Sequence, residues 1–332
     1  MAEARRRILS TLFSADPPMP VWQERVDTLR PRDRDAATIA AVLRRAGRYD
    51  AVVLDGSARR DQVAAALLRR LPRGPAIVVA DSAWKAGGGW DSVVNRAGIR
   101  MIDGPRTSFV VPSSFETERF PRTWRLRCSR VRFVPWAVTL KDEEPSTDNG
   151  RVFAGGNSLR DYGPLIAAAA QIDAPVDIAT NVLAGAEPAA VPANLTVGPR
   201  PQAEYDAMLR AAAVVVVPLQ ARNDRSSGQT TYINAMARGK AIVVTDTPGV
   251  RDYITDGETG LIVAPGDGAA LAQAITRLLN DPAERARIGR RARDHALGQL
   301  TLTHYATRLL ALVDETLAAP APRRRHASRA AA

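Results

Sequence analysis

The residues whose types and spacing could do chemistry gather between Ser226 and Asn234. Ser226-Ser227-Gly228-Gln229-Thr230-Thr231 is a run of small polar residues set between two ordered stretches. Before it, Ala211 to Pro218 is apolar without alternation, the pattern of a buried parallel strand. After it, Thr230 to Arg238 has helical character and is closed by Gly239, and Ala241 to Thr245 reads as the next strand. A strand, a Gly-containing loop and a helix start leave free backbone N–H groups and the positive helix end pointing above the sheet. That arrangement binds phosphate. A second group lies at Arg151-Val-Phe-Ala-Gly-Gly-Asn-Ser-Leu-Arg. Gly155 and Gly156 permit close backbone approach, Asn157 or Ser158 can cap a helix running through Ala170, and Arg160 is placed to reach a diphosphate.

These residues need a frame, and the rest of the chain reads as one. Arg7 to Phe13, Ala51 to Asp55 and Ala76 to Asp81 read as strands, with helices over Asp33 to Ala46 and Asp61 to Leu71. Val131 to Val138 leads out of this first half, and Val176 to Thr180 and Leu195 to Arg200 are strands of the second. Helical stretches cover Glu204 to Ala213, Asp267 to Leu279, Pro282 to Leu297 and Thr303 to Leu317. Strands alternating with helices at this spacing predict parallel sheets with helices on both faces. In such sheets ligands bind beyond the C-terminal strand ends, so Asp81, Trp84 and the Gly87-Gly88-Gly89 run would face a ligand. Ser113 and Ser114 suit a helix N-cap, with Glu116 and Glu118 in the first turn.

Asn234-Ala-Met-Ala-Arg-Gly-Lys-Ala-Ile-Val-Val, followed by Pro248-Gly-Val-Arg-Asp-Tyr-Ile-Thr-Asp-Gly-Glu-Thr-Gly-Leu-Ile-Val, closely resembles the donor half of family 4 retaining glycosyltransferases. That family has the GT-B fold, and its pattern there is Glu, seven residues, then Glu-Ala-Met-Ala-x-Gly-x-Pro-Val-Val. This chain has Ser226 and Asn234 at the two glutamate positions, so neither carboxylate is present. The resemblance covers most of residues 76–318. It implies an α/β protein with two Rossmann-like parallel-sheet domains facing a central cleft. It also implies a retaining, metal-independent transfer of a sugar from a nucleoside-diphosphate sugar, with no cofactor. By resemblance, Asp81 would lie near the transferred sugar and Arg160 would neutralise the leaving diphosphate. Gly155, Gly156, Asn157, Ser226, Ser227, Gly228, Gln229, Thr230 and Thr231 would line the donor site. Asn234 would keep a weakened ribose contact, and Gly198 to Arg200 would meet the base. With Ser226 too short to hold sugar hydroxyls, Asp224 is a substitute, and Arg222, Arg225 or a residue from the N-terminal domain would stand in for the partner of Arg160. The competing reading is an inactive binding or scaffold protein that keeps the fold.

Composition narrows the classes further. The 332 residues are 45% apolar and 24% charged, as in soluble globular proteins, and suit two domains. Residues 1–140 would form the N-terminal acceptor-side domain, 141–150 a linker and 151–302 the donor domain. A helix over 303–318 would cross back to the first domain, leaving 319–332 as a disordered basic tail. No apolar run approaches a membrane span, and the N-terminus lacks the apolar core of a signal peptide. A single cysteine, Cys128, allows no intrachain disulfide and fits a reducing cytoplasm. Three histidines near the C-terminus give no Cys/His metal cluster. The net charge is +11, and residues 1–150 carry most of it, with 26 Lys and Arg against 18 Asp and Glu. This excess, with five arginines between Arg122 and Arg132, fits an anionic or lipid-linked acceptor and peripheral contact with the inner membrane face. No nucleic-acid recognition motif accompanies it.

Overall fold

The computed structural model describes residues 7–13, 19–82, 84, 89–127, 130–140, 146–183, 192–221 and 225–318. Gly87, Gly88, Cys128, Arg222, Asp224, the first half of the expected linker and the expected tail lie outside the described residues. By its contacts the chain divides into two units. One holds residues up to Val111, Thr117–Val134 and the chain from Ala306 onward; the other holds Pro112–Glu116 and Pro135–Tyr305. The division therefore falls before the expected linker, and Ser146 to Gly150 belong to the second unit.

In the first unit the elements run β1 (Ile8–Ser10), α1 (Pro20–Gln23), β2 (Val26–Thr28), α2 (Asp35–Ala46), β3 (Ala51–Asp55), α3 (Arg59–Leu68), β4 (Ala76–Ala80), α4 (Gly89–Ile102), β5 (Thr107–Val111), α5 (Ser114–Trp124) and β6 (Arg130–Phe133). The sheet order is β2-β1-β3-β4-β5-β6, and every pairing is parallel. β4 and β5 are buried along their whole length, so they carry apolar residues on both faces. β2 escapes the sequence reading because Val26-Asp-Thr has one buried residue and sits at the sheet edge. Trp84 corrects the expectation of a ligand-facing side chain. Its ring packs against Phe109, Phe120 and Trp124 at centroid distances of 5.7, 5.5 and 6.1 Å, and its Nε1 donates to the Gly56 carbonyl at 2.5 Å. An indole beside three buried aromatic rings gains more from burial than from solvent.

The second unit contains β7 (Val152–Gly155), α6 (Gly163–Ala169), β8 (Val176–Ala179), β9 (Leu195–Gly198), α7 (Gln202–Ala211), β10 (Val214–Val217), α8 (Gln229–Ala237), β11 (Ala241–Thr245), a 3₁₀ turn at Val250–Asp252, β12 (Leu261–Val263), α9 (Gly268–Asn280), α10 (Pro282–Gln299) and the start of α11 (Leu302–Ala318). Its sheet, again all parallel, has the order β12-β11-β10-β7-β8-β9. The chain builds outward from β7 to β9, returns to pair β10 with the other side of β7, and builds outward again. The strand order thus reverses between β7 and β10, which is where such sheets open a crevice. Asp267 and Asp281 cap α9 and α10 by accepting from Ala270 N and Glu284 N, each at 2.8 Å.

From Ala306 onward α11 belongs with the first unit. There Arg25 grips Asp314 with two hydrogen bonds of 3.0 and 2.7 Å, and Ser108 Oγ meets Thr316 Oγ1 at 2.7 Å. The two-unit α/β architecture expected from the strand–helix rhythm is present, with six parallel strands in each sheet.

Candidate functional site

The loops at the C-terminal ends of β7, β8 and β9 and the first turns of α8 surround a cavity of about 610 Å³ in the second unit. Gly156 and Asn157 follow β7, Thr180 and Asn181 follow β8, Arg200 follows β9, and Thr230, Thr231 and Asn234 come from α8. Tyr205 on α7 completes one wall. Position follows from topology: the β7 loop and the start of α8, which follows β10, flank the reversal of strand order, and the β8 and β9 loops extend the wall on the β7 side.

The β7 loop is shaped by its glycines. A Cβ on Gly155 would run into the Tyr205 ring, which itself packs edge-on against Phe153 at 5.1 Å. Gly156 has φ +110°, and a Cβ there would lie 2.7 Å from Arg160 Nη2. Its carbonyl accepts from Tyr162 Oη at 2.7 Å and Thr180 Oγ1 at 3.0 Å. Asn157 and Ser158 do not cap a helix, contrary to expectation. Leu159 adopts φ +52° and the helix starts only at Gly163, so the turn carries both residues away from the helix start. Asn157 Oδ1 instead accepts from Asn181 N and shares the one Thr180 hydroxyl proton with the Gly156 carbonyl, joining the β7 and β8 loops.

Arg160 is the main revision to the expected site. It is 5% exposed, and its guanidinium donates to the Gly155 carbonyl at 3.0 Å, the Ser158 carbonyl at 2.9 Å and Thr231 Oγ1 at 2.9 Å. Burial pushes its pKa below the ordinary arginine value, and nearby tyrosines oppose that shift. In this structure Arg160 holds the β7 loop against α8. Tyr205 Oη reaches the same Thr231 hydroxyl at 3.4 Å, and burial raises the tyrosine's pKa.

The approach to α8 is a second ordered loop. Gly228, its N-cap, has φ +92° and no side chain to satisfy the first N–H groups of the helix. Ser227 Oγ donates to the Ser158 carbonyl at 2.9 Å, and Gln229 Nε2 donates to Ser226 Oγ at 2.6 Å. Arg225 reaches Ser158 Oγ at 2.9 Å. Thr230 is exposed at the cavity wall, whereas Ser226, Ser227, Gln229 and Thr231 are buried. On the other side, Asn234 is clasped by Thr139. Thr139 N donates to Asn234 Oδ1 at 2.9 Å, and Asn234 Nδ2 donates to Thr139 Oγ1 at 3.0 Å. Arg200 pairs with Glu204 at 3.0 Å while lining the cavity. Gly198 ends β9 two residues before it.

Asp81 is not among these residues. It belongs to the first unit, just past β4, half-buried with φ +47°. Two residues the sequence did not single out for the site, Tyr205 and Thr139, line the cavity. Tyr205 lay within a predicted helix and Thr139 just before a predicted linker, so neither carried a motif. A third, Glu116, accepts a hydrogen bond from Ser226 Oγ at 2.7 Å.

Residues 191–295 match the family model described as "Glycosyl transferases group 1". A D-inositol 3-phosphate glycosyltransferase of Corynebacterium efficiens is 33% identical over 121 residues, which is 36% of this chain and 27% of that protein. The chain thus spans about a quarter of the length of that curated relative. Among solved structures, Anabaena Alr3699/HepE in complex with UDP-glucose superposes with a TM-score of 0.66 at 14% identity, covering 93% of this chain and 100% of the other. Sucrose-phosphate synthase from Thermosynechococcus elongatus gives 0.62 at 20% identity, covering 88% and 82%. At these identities the likeness is one of fold, a two-domain α/β fold of GT-B type.

Proposed function

We propose that the chain is a glycosyltransferase that takes a sugar from a nucleoside-diphosphate sugar and passes it, with retention and without a metal, to an acceptor. The observation that carries the reading is the cavity at the strand-order reversal of the second unit, with the uncapped start of α8 on its wall. Uncapped N–H groups and the positive helix end favour an anion, and a leaving diphosphate gains negative charge as the sugar departs. Arg160, although sequestered, adds a fixed positive charge behind Thr231. Gly198 to Arg200 and Tyr205 suit the nucleoside end, which anchors the donor so that remote binding energy aligns the anomeric carbon. A relative that matches part of this chain is named for glycosyl transfer and a fold neighbour is complexed with UDP-glucose, which supports a nucleotide-sugar donor. The basic excess of the first 150 residues supports an anionic or lipid-linked acceptor.

A second reading, a nucleotide-binding scaffold without turnover, is favoured by one feature. Arg160 and Asn234 both spend their polar groups on the protein itself. Calorimetric titration with UDP, GDP, ADP and dTDP, followed by slow hydrolysis of the matching sugar nucleotides, separates the two. One nucleotide is expected to bind selectively, and its sugar conjugate to be hydrolysed. Binding without hydrolysis, whatever acceptor is supplied, would favour the scaffold; binding of none would sink both.

A further inference from the structure

Glu116 stands in the first turn of α5 and is 3% exposed, yet the loop it holds lies 110 residues further along the chain. Pro112–Glu116 groups with the second unit, so the contact lies within that unit. Ser226 Oγ and Ser113 Oγ both donate to Glu116 Oε2, each at 2.7 Å. Because the single hydroxyl proton of Ser226 is spent on the carboxylate, its lone pairs are turned to Gln229 Nε2 at 2.6 Å. The carboxylate therefore sets the direction of a short chain of hydrogen bonds that ends on the first residue of α8.

The surroundings leave little slack. Gly249 has φ +87°, and a Cβ there would lie 2.6 Å from Ser113 Cβ and 2.9 Å from Ser226 Cβ. Ser114 donates through N and Oγ to Asp252 at 2.8 and 2.6 Å, and Tyr253 Oη donates to the Pro112 carbonyl at 2.6 Å. Burial pushes the Glu116 carboxyl up, against the hydrogen bonds from Ser226 and Ser113. An ionised group held in such a place is costly, and an amide of the same shape would cost less. The two serine hydrogen bonds and the nearby Arg225 favour the charged form against that cost.

We propose that Glu116 is a positioning residue for the donor site: it fixes the Ser226–Gln229 turn and so aims the first N–H groups of α8. This rests on the transferase reading for its functional part, while its structural part can be tested without any donor. The test uses the full chain, Glu116→Gln, and a double variant, Glu116→Ser with Ser226→Glu, that moves the carboxylate to the other side of the same contact. Amide exchange of residues 226–232 is followed by mass spectrometry, alongside nucleotide affinity, sugar-nucleotide hydrolysis and thermal melting.

In Glu116→Gln we expect an unchanged or higher melting temperature and about tenfold faster exchange confined to the turn and the first turn of α8. Hydrolysis should fall about tenfold with nucleotide affinity nearly constant, as loss of a transition-state contact requires. The double variant should recover most of both. A folded Glu116→Gln with wild-type exchange or wild-type turnover overturns the proposal, as does a double variant no better than the single. If Glu116→Gln does not fold, Glu116→Asp decides, because a carboxylate one methylene shorter that left exchange and turnover untouched would also overturn it. If the wild type binds no nucleotide and hydrolyses none, the transferase reading falls and the exchange experiment alone decides the role of Glu116.

Discussion

The two units share an architecture but treat its one ligand-ready feature differently. Each sheet is six parallel strands, and each reverses its strand order once, between β1 and β3 in the first and between β7 and β10 in the second. At the first reversal a buried carboxylate bridges the strand ends. Asp61 accepts from Thr11 Oγ1 at the end of β1 and from Asp55 N at the end of β3, the latter at 3.0 Å. At the second reversal a buried guanidinium does the bridging, from the β7 loop to α8, and the neighbouring cavity keeps an uncapped helix start on its wall. Equal topology therefore gives two reversals of opposite electrostatic sense. A carboxylate at a reversal repels an anionic ligand, whereas a guanidinium beside a helix start with no side-chain cap attracts one.

The largest effect should come from removing the guanidinium bridge, with the carboxylate bridge as its counterpart. Arg160→Ala takes the guanidinium from the Gly155 carbonyl and leaves the Ser158 carbonyl to Ser227 Oγ and Thr231 to Tyr205 Oη. The cost should be about 3 kcal/mol in denaturant unfolding, with nucleotide affinity lost as the β7 loop detaches. Asp61→Asn should cost little, because burial already raises the Asp61 carboxyl above its ordinary value of 3.8 and disfavours its charge. The sign follows: the native state holds that proton more tightly than the unfolded chain, so this group's contribution falls as pH rises from 3.8 through the raised native value. Asp61→Asn should remove that part of the pH slope and leave nucleotide affinity intact. Equal affinity losses in both variants would erase the contrast between the two reversals.

Two glycines offer a second comparison of intermediate size. A Cβ on Gly56 would lie 2.5 Å from the Ala80 carbonyl oxygen and 2.9 Å from that of Asp81, both backbone. The three atoms nearest a Cβ on Gly155 all belong to the Tyr205 ring and hydroxyl, a side chain that can move at the expense of the cavity wall. Gly56→Ala should therefore destabilise by about 1–3 kcal/mol without touching nucleotide binding. Gly155→Ala should cost less stability but more affinity. Paired melts and calorimetric titrations would show whether the costs separate in this way.

These contrasts also mark what could be read from the residues alone. Unbroken apolar runs such as Val214 to Val217 and Ala76 to Ala80 announce strands buried on both faces, so both sheets were legible. The α8 loop was legible too, because Gly228 and Gly239 adopt the positive φ values that the helix ends require. Side-chain engagement was not. Nothing in the order of residues says that Arg160 turns back on its own loop, that Asn234 is clasped by Thr139, or that Glu116 reaches Ser226. Such contacts are set by packing between segments far apart in sequence, which periodicity does not encode. Trp84 shows the same limit, since its place after a strand suggested a ligand while its neighbours made it core.

The smallest effect is expected at Asn234, and it sharpens the site most finely. Its amide exchanges two hydrogen bonds with Thr139, so both a ligand-binding and a purely structural role would register in stability. Asn234→Ala should cost about 1 kcal/mol, the value of a partly buried clasp. Thr139→Val removes one of the two bonds from the other side and leaves the amide in the cavity wall. If the ribose uses that amide, Asn234→Ala should weaken nucleotide binding severalfold while Thr139→Val, at similar stability cost, leaves it nearly unchanged. Equal affinities in the two variants would mean that the ribose is held by other groups, and that Asn234 serves only to fix the segment around Thr139 at the edge of the cavity.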